Sequence, residues 1–341
     1  MKAIFVAALK NSSASGRQRL WALKACGVEV ITIDKNSFEK PWLQLKIANL
    51  FKLSFLKLNN KLSKAIIKEI IINKPDLLWL EWPQEFTASN ILAFKAACKD
   101  MRLVSFQDDN PWGDRFKDFW MWKYYLKITP YFDVHLVKRE SDISNLKRYS
   151  KAPCYLWEGG IYSPLFRKPP HNIIIKYPII FVGTCLDDRA KLIGYLLDNG
   201  VPIHVFGNKW HERTNLPKLY PNQFHAAVEG QSYVDVIWEA TMCLGLVSHT
   251  NRDEWTMRSY EVPGCGKPLI AEKTPFHTSL FKDNSLLLFS SQEDCLEKIN
   301  HFLDNQYDAC KLGSLLHQSF LNDKRTLDHC MKVFLETKLS F

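Results

Sequence analysis

Short apolar runs recur along this chain, each followed by a polar turn and then by a stretch whose apolar positions fall three and four apart. The first run, residues 3–9, leads into a Ser- and Gly-rich turn at 11–16 and a helical pattern at 17–26. The same alternation predicts strands at 28–34, 76–82, 102–106, 133–137 and 153–158, with helices at 62–73, 88–100, 120–128 and 141–149. Strands that alternate with helices build a parallel sheet with helices on both faces.

The alternation breaks at residues 162–170, Tyr-Ser-Pro-Leu-Phe-Arg-Lys-Pro-Pro, where proline forbids both a helix interior and a central strand. That segment reads as a linker. Beyond it the pattern starts afresh, with strands at 178–183, 202–206, 242–248, 268–271 and 285–289 and helices at 189–199, 233–240, 257–260 and 293–304. A last helix, 326–338, stands outside the second series and is free to pack back on the first. The expected fold class is therefore α/β, with two open parallel-sheet domains facing across a cleft. The boundaries are 1–165, 171–322 and a returning C-terminal helix at 323–341. A length of 341 residues suits two cores better than one. Open parallel sheets bind ligands at the carboxyl ends of their strands, where the strand order reverses.

Composition narrows the class. Hydrophobic residues at 46% and charged residues at 24% exclude a disordered chain or a fibre. No apolar run reaches the length of about 18–20 residues that a spanning helix needs, and the N-terminus lacks a small-residue cleavage site, so a cytoplasmic protein is expected. The nine cysteines are scattered with no Cys-x-x-Cys pair, which argues for reduced filler rather than a zinc or redox site. Charge is uneven. Residues 1–170 hold 28 Lys and Arg against 16 Asp and Glu, a balance of +12, while residues 171–341 hold 17 against 20, a balance of −3. Such asymmetry suits a first domain that faces an anionic partner, or merely a solvated basic surface. No zinc-finger spacing, RNA-binding aromatic motif or basic tail supports a nucleic-acid partner.

The most informative stretch is Asp253-Glu-Trp-Thr-Met-Arg258-Ser-Tyr-Glu261-Val-Pro-Gly-Cys265-Gly266-Lys-Pro268. It resembles the group 1 glycosyltransferases of the GT-B fold, whose signature sets an acidic residue eight positions before a glutamate that opens a helix ahead of Cys-Gly-x-Pro. Asp253 stands where that family usually has glutamate. The variant Arg258-Ser-Tyr-Glu261 looks closer to the spore-maturation-type members. Phe181-Val-Gly183-Thr-Cys-Leu-Asp-Asp-Arg189 and Val205-Phe-Gly207-Asn-Lys-Trp210 resemble the family's first two strand-and-loop units of the second domain. A looser echo is Gln107-Asp108-Asp109-Asn-Pro111.

The resemblance implies a transferase that moves a sugar from a nucleotide-diphosphate donor, held by the second domain, to a hydroxyl on an acceptor held by the first. It implies no metal and no cofactor beyond the donor substrate. Glu261 would accept hydrogen bonds from ribose hydroxyls. Arg189 and Arg258 would neutralise the leaving diphosphate, a surface arginine or an Arg–Glu pair being the alternatives. Gly183, Gly207 and Gly266 would let backbone approach the donor, with His249 and Asp253 facing its sugar or phosphates. In the first domain, Gly16 resembles a phosphate-side glycine. Asp108 or Asp109 would act as general base for an inverting reaction, against the alternative of a helix cap before Pro111. A non-catalytic binder of nucleotide or sugar phosphate in a glycan-assembly complex is the second reading, and an epimerase the third.

Residues 40–62 are basic, aromatic and apolar by turns. As one helix they would set lysines beside an apolar face. That composition fits peripheral contact with the inner face of a membrane and a lipid-linked or anionic glycan acceptor, or a helix packed on its own sheet with snorkelling lysines.

Overall fold

The computed structural model describes residues 1–10, 14–38, 40–113, 116–170, 172–186, 188–282, 284 and 286–339. The chain divides into two compact units, one made of Met1–Glu158 with the stretch from Met331 onward, the other of Gly159–Cys330.

The first unit is a parallel sheet of β1 (Lys2–Ala7), β2 (Glu29–Asp34), β3 (Leu77–Glu81), β4 (Arg102–Gln107), β5 (Val134–Val137) and β6 (Cys154–Leu156). Its spatial order is β2-β1-β3-β4-β5-β6. The second holds β7 (Tyr177–Val182), β8 (Ile203–Phe206), β9 (Phe224–His225), β10 (Ala240–Gly245), β11 (Leu269–Glu272) and β12 (Leu288–Phe289), in the order β12-β11-β10-β7-β8-β9. The order therefore reverses between β1 and β3 in one sheet and between β7 and β10 in the other. The central strands are buried along their length, β3 and β10 at every residue. This is the burial that helices on both faces impose.

The C-terminal helix does return to the first unit. Met331, Phe334 and Leu339 are buried, the Phe334 ring lies 5.6 Å from that of Trp79, and Lys338 reaches over Tyr155. The chain crosses at Glu158, so the proline-rich segment 162–170 folds with the second unit instead of standing between the two. Phe166 explains this: it is buried against Tyr233, and the Arg167 carbonyl accepts from the Trp238 indole at 2.8 Å. Helix Gln306–Asn322 was not legible in the pattern, because its buried positions, Ala309, Gly313, Leu316 and Phe320, include two small residues. Residues 40–62 are not one helix. Helix Trp42–Leu50 ends near Lys52, whose φ is +57°; a 3-10 turn follows at Ser54–Lys57, and Asn59 caps a separate helix, Asn60–Asn73.

At the switch point of the first sheet lies a buried ion pair. Arg19, on helix Ser15–Ala25, donates to both oxygens of Glu81 at 2.7 and 2.5 Å, and the Trp79 indole donates to the same carboxylate at 2.9 Å. The guanidinium also stacks 3.8 Å over the Phe106 ring. Removing one partner strands a charge in the core, at a cost of about 3–5 kcal/mol. Arg19→Met is therefore expected to lower the unfolding free energy by about that amount. Arg19→Met/Glu81→Met should recover most of the loss in chemical denaturation, and equal losses in the single and double variants would contradict the pairing.

Candidate functional site

In the second unit the functional candidates gather where β7 and β10 end side by side. Arg189 opens helix Arg189–Asp198 and is buried. Its guanidinium donates to the carbonyl of Thr184 at 3.1 Å, after β7, and to those of Leu246 and Val247 at 3.2 Å each, after β10. The arginine read as a phosphate donor thus spends three bonds tying the two strand ends together.

Beside it, the Gly183 N–H donates to Phe206 and the Trp210 indole donates back to the Gly183 carbonyl, at 2.8 and 2.9 Å. A Cβ at Gly207 would stand 2.0 Å from the Gly183 oxygen, so the loops after β7 and β8 meet backbone on backbone and only glycine fits at 207.

Arg258 and Glu261 lie on the short helix Arg258–Gly264. The guanidinium carbons of Arg189 and Arg258 stand 5.7 and 5.9 Å from the centre of the Phe181 ring. The Arg258 Nε is buried and makes no hydrogen bond among the described residues. The Arg–Glu pairing that their spacing allowed is not found among the described residues; Glu261, itself buried, accepts from the Tyr233 hydroxyl at 3.0 Å. Burial, and next the charge of Glu261, push the Tyr233 phenol well above its ordinary value, so it stays a donor. Nothing in the sequence marks Tyr233, which lies 28 residues from Glu261 and meets it only through tertiary packing.

The helix is held by a buried relay. Ser259 hydrogen-bonds His277 Nε2 at 2.8 Å, and His277 Nδ1 donates to the Glu272 carbonyl at 2.7 Å. Gly266 follows the same helix. Its φ of +75° ends the helix, with its N–H on Pro263; an added Cβ at Gly264 would meet Ile161 and Phe166, one at Gly266 would meet the Lys168 side chain, and Gly313 of helix Gln306–Asn322 lies against the Gly266 carbonyl.

His249 sits between two carboxylates, donating to Asp188 at 3.0 Å and to Glu272 at 2.5 Å, while Glu272 also accepts from the Val247 N–H. These groups and Arg189 line a cavity of about 250 Å³ together with Ser291 and Gln292. Asp253 accepts from the Asn251 amide at 3.0 Å and shapes the loop in which Arg252 adopts a φ of +54°.

In the first unit, the turn residues 11–13 lie outside the described residues. Gly16 is pressed to the end of β1, where an added Cβ would come 3.2 Å from that of Ala7. The Asp108 carboxylate accepts from the Trp82 indole, and its carbonyl accepts from Arg139 at 2.8 Å. The Asp109 carbonyl accepts from Gln107. After them residues 111–112 form a turn in which the Asn110 side chain accepts from the Trp112 N–H.

Residues 189–336 match the family model of glycosyl transferase-like domains. Solved structures share the fold across nearly the whole chain. HepE of Anabaena in complex with UDP-glucose superposes with a TM-score of 0.63 at 12% identity, covering 99% of each chain. A UDP-forming α,α-trehalose-phosphate synthase of Burkholderia xenovorans, in complex with glucose-6-phosphate, gives 0.60 at 10% identity over 100% of both chains. MnaA of S. aureus with UDP gives 0.51 at 12%, covering 92% of this chain and 91% of that one. No curated protein matches the chain in sequence. The fold is thus the GT-B arrangement of two Rossmann-like domains.

The His249 clamp has a pH signature. Burial disfavours the imidazolium, but the hydrogen bonds and charges of Glu272 and Asp188 outweigh it and raise the pKa above the ordinary value. The stability this contributes is present below about pH 6.5, the unfolded value, and is lost as pH rises through the folded one. An NMR titration of His249 should give a midpoint above that of a free histidine, and Glu272→Gln should bring it down. A midpoint that does not move in Glu272→Gln would contradict the clamp.

Proposed function

We propose that this chain, which combines the GT-B fold with a glycosyl transferase-like domain at residues 189–336, is an active transferase of sugar from a nucleotide-diphosphate donor to an acceptor hydroxyl. The observation that carries the reading is the pair on helix Arg258–Gly264: a guanidinium whose buried Nε lacks a hydrogen bond among the described residues, one turn from a buried carboxylate fixed by Tyr233. Glu261 would accept from the ribose hydroxyls of the donor. Arg258 would meet the diphosphate as the glycosidic C–O bond breaks and negative charge builds on the leaving oxygen. Arg189 would act by shaping the loops after β7 and β10 on which the phosphates rest. The carbon freed from diphosphate bonds to the acceptor oxygen, whose proton passes to a base, Asp108 or Asp109 if the anomeric centre is inverted.

We assign the acceptor to the basic first unit and take it to be an anionic or lipid-linked glycan. Residues 40–62 are then the point of contact with a membrane. The nine free thiols suit a reducing compartment, the cytoplasm. Among the described residues no helix is long and apolar enough to cross a membrane.

The test is a thermal-shift panel of nucleotide diphosphates and their sugars. A ligand at 100 times its Kd adds about 2.7 kcal/mol to stability. Glu261→Ala should weaken the responding nucleotide by roughly 10–100-fold, the loss of a charge-assisted bond, and Tyr233→Phe by less. Absence of any shift across the panel, with no sugar transfer, would overturn the proposal; donor affinity unchanged in Glu261→Ala would remove that residue from the site.

A further inference from the structure

Helix Trp42–Leu50 is turned inside out relative to a helix packed on a soluble core. Ala48 is its one buried residue. Its inward side is tied down by Gln44, which donates to the Leu56 carbonyl, as does Lys40 just before the helix at 2.6 Å. The face pointing away carries Trp42, Leu43, Ile47 and Leu50, with Phe51 and Phe55 continuing past its end. Trp42 is 71% exposed, Leu50 67%, Phe51 63% and Phe55 53%. An amphipathic helix on a globular protein buries such side chains and exposes its polar ones.

Along the chain, the charge of this segment is of one sign. Residues 40–68 hold seven lysines and no aspartate or glutamate. Lys46 shares the outward face, its ammonium 5.5 Å over the Trp42 ring, and Lys57 stands 4.6 Å over Trp120 on the neighbouring segment.

We propose that this face docks on an anionic lipid bilayer. Large apolar groups interleaved with lysines call for a partner that is both apolar and negative. A bilayer interface supplies acyl chains for tryptophan, phenylalanine and leucine, and anionic headgroups for lysine. A nucleic acid would satisfy the lysines and leave Leu43, Ile47 and Leu50 in water. At nine residues the helix is too short to span the hydrocarbon core and lies along the interface.

The helix also borders a cavity of about 350 Å³ lined by Ala8, Lys35, Lys40, Leu45, Lys57 and Gln84, at the carboxyl edge of the first sheet. Docking therefore brings the ligand edge of that sheet to the lipid, and a hydroxyl presented at the bilayer surface becomes the acceptor class. That last step rests on the transferase reading; the docking itself does not.

Flotation of the full chain with vesicles decides it. The protein should float with equimolar phosphatidylglycerol and phosphatidylcholine, float weakly with phosphatidylcholine alone, and be released by high salt. W42S/L50S/F51S and K46Q/K52Q should each lower the partition coefficient about tenfold or more, while keeping the wild-type melting temperature and its nucleotide-induced shift. A wild-type protein that stays in the soluble fraction with anionic vesicles overturns the proposal. So does flotation unaffected by either variant, capture by an acidic polypeptide instead of lipid, or a dimer in solution that W42S/L50S/F51S dissociates. Loss of the nucleotide shift in wild-type protein would instead strike the transferase reading, leaving the lipid result to stand by itself.

Discussion

The end of β7 must be held against the end of β10 if a ligand is to meet a formed surface there, and Arg189 is what holds it. A parallel sheet leaves the backbone groups beyond its carboxyl edge without ladder partners, and buried ones must find them. The Arg189 guanidinium meets three such carbonyls at once, from Thr184, Leu246 and Val247. The remaining geometry follows from that tie. The Gly183 loop can then lie against Gly207, Phe181 presents its ring to both arginines, and the loop after β10 places His249 between Asp188 and Glu272.

The first unit solves the same problem with different chemistry. Arg19 also sits on the helix after the first strand of its sheet and also reaches across the switch point, here from β1 to β3, but its partner is the Glu81 carboxylate. That bond neutralises the charge. Arg189 reaches three backbone carbonyls across its own switch point. Arg258 stands beside the same Phe181 ring as Arg189.

Glu261 stands out as a candidate because its neighbours in the chain form a spaced pattern, and Gly183 and Gly207 because a glycine after a strand is a local signal. The roles inside the pattern were less legible. The three-residue spacing of Arg258 and Glu261 permits an ion pair, and only the packed structure shows the glutamate bound to Tyr233 instead. Gly266 reads as ligand clearance in sequence, and the structure shows that it is also a helix stop, packed against a helix whose small buried residues hid it from the apolar pattern. Ser259 and His277, which anchor the helix to β11, are both buried and lie 18 residues apart, too far for any spacing rule to join them.

The alternation of apolar strands with periodic helices determined by itself that there are two α/β units with parallel sheets, since period and burial are properties of consecutive residues. It determined also which residue types could do the chemistry, and roughly where along each strand they lie. Tertiary structure decided which of them meet. Strand order sets the switch points, and it brings residues far apart in sequence within hydrogen-bond range: Arg189 with Val247, Tyr233 with Glu261, His249 with Glu272. Hydrogen bonds act over about 3 Å, and distance along the chain carries no such information once the backbone has folded back on itself.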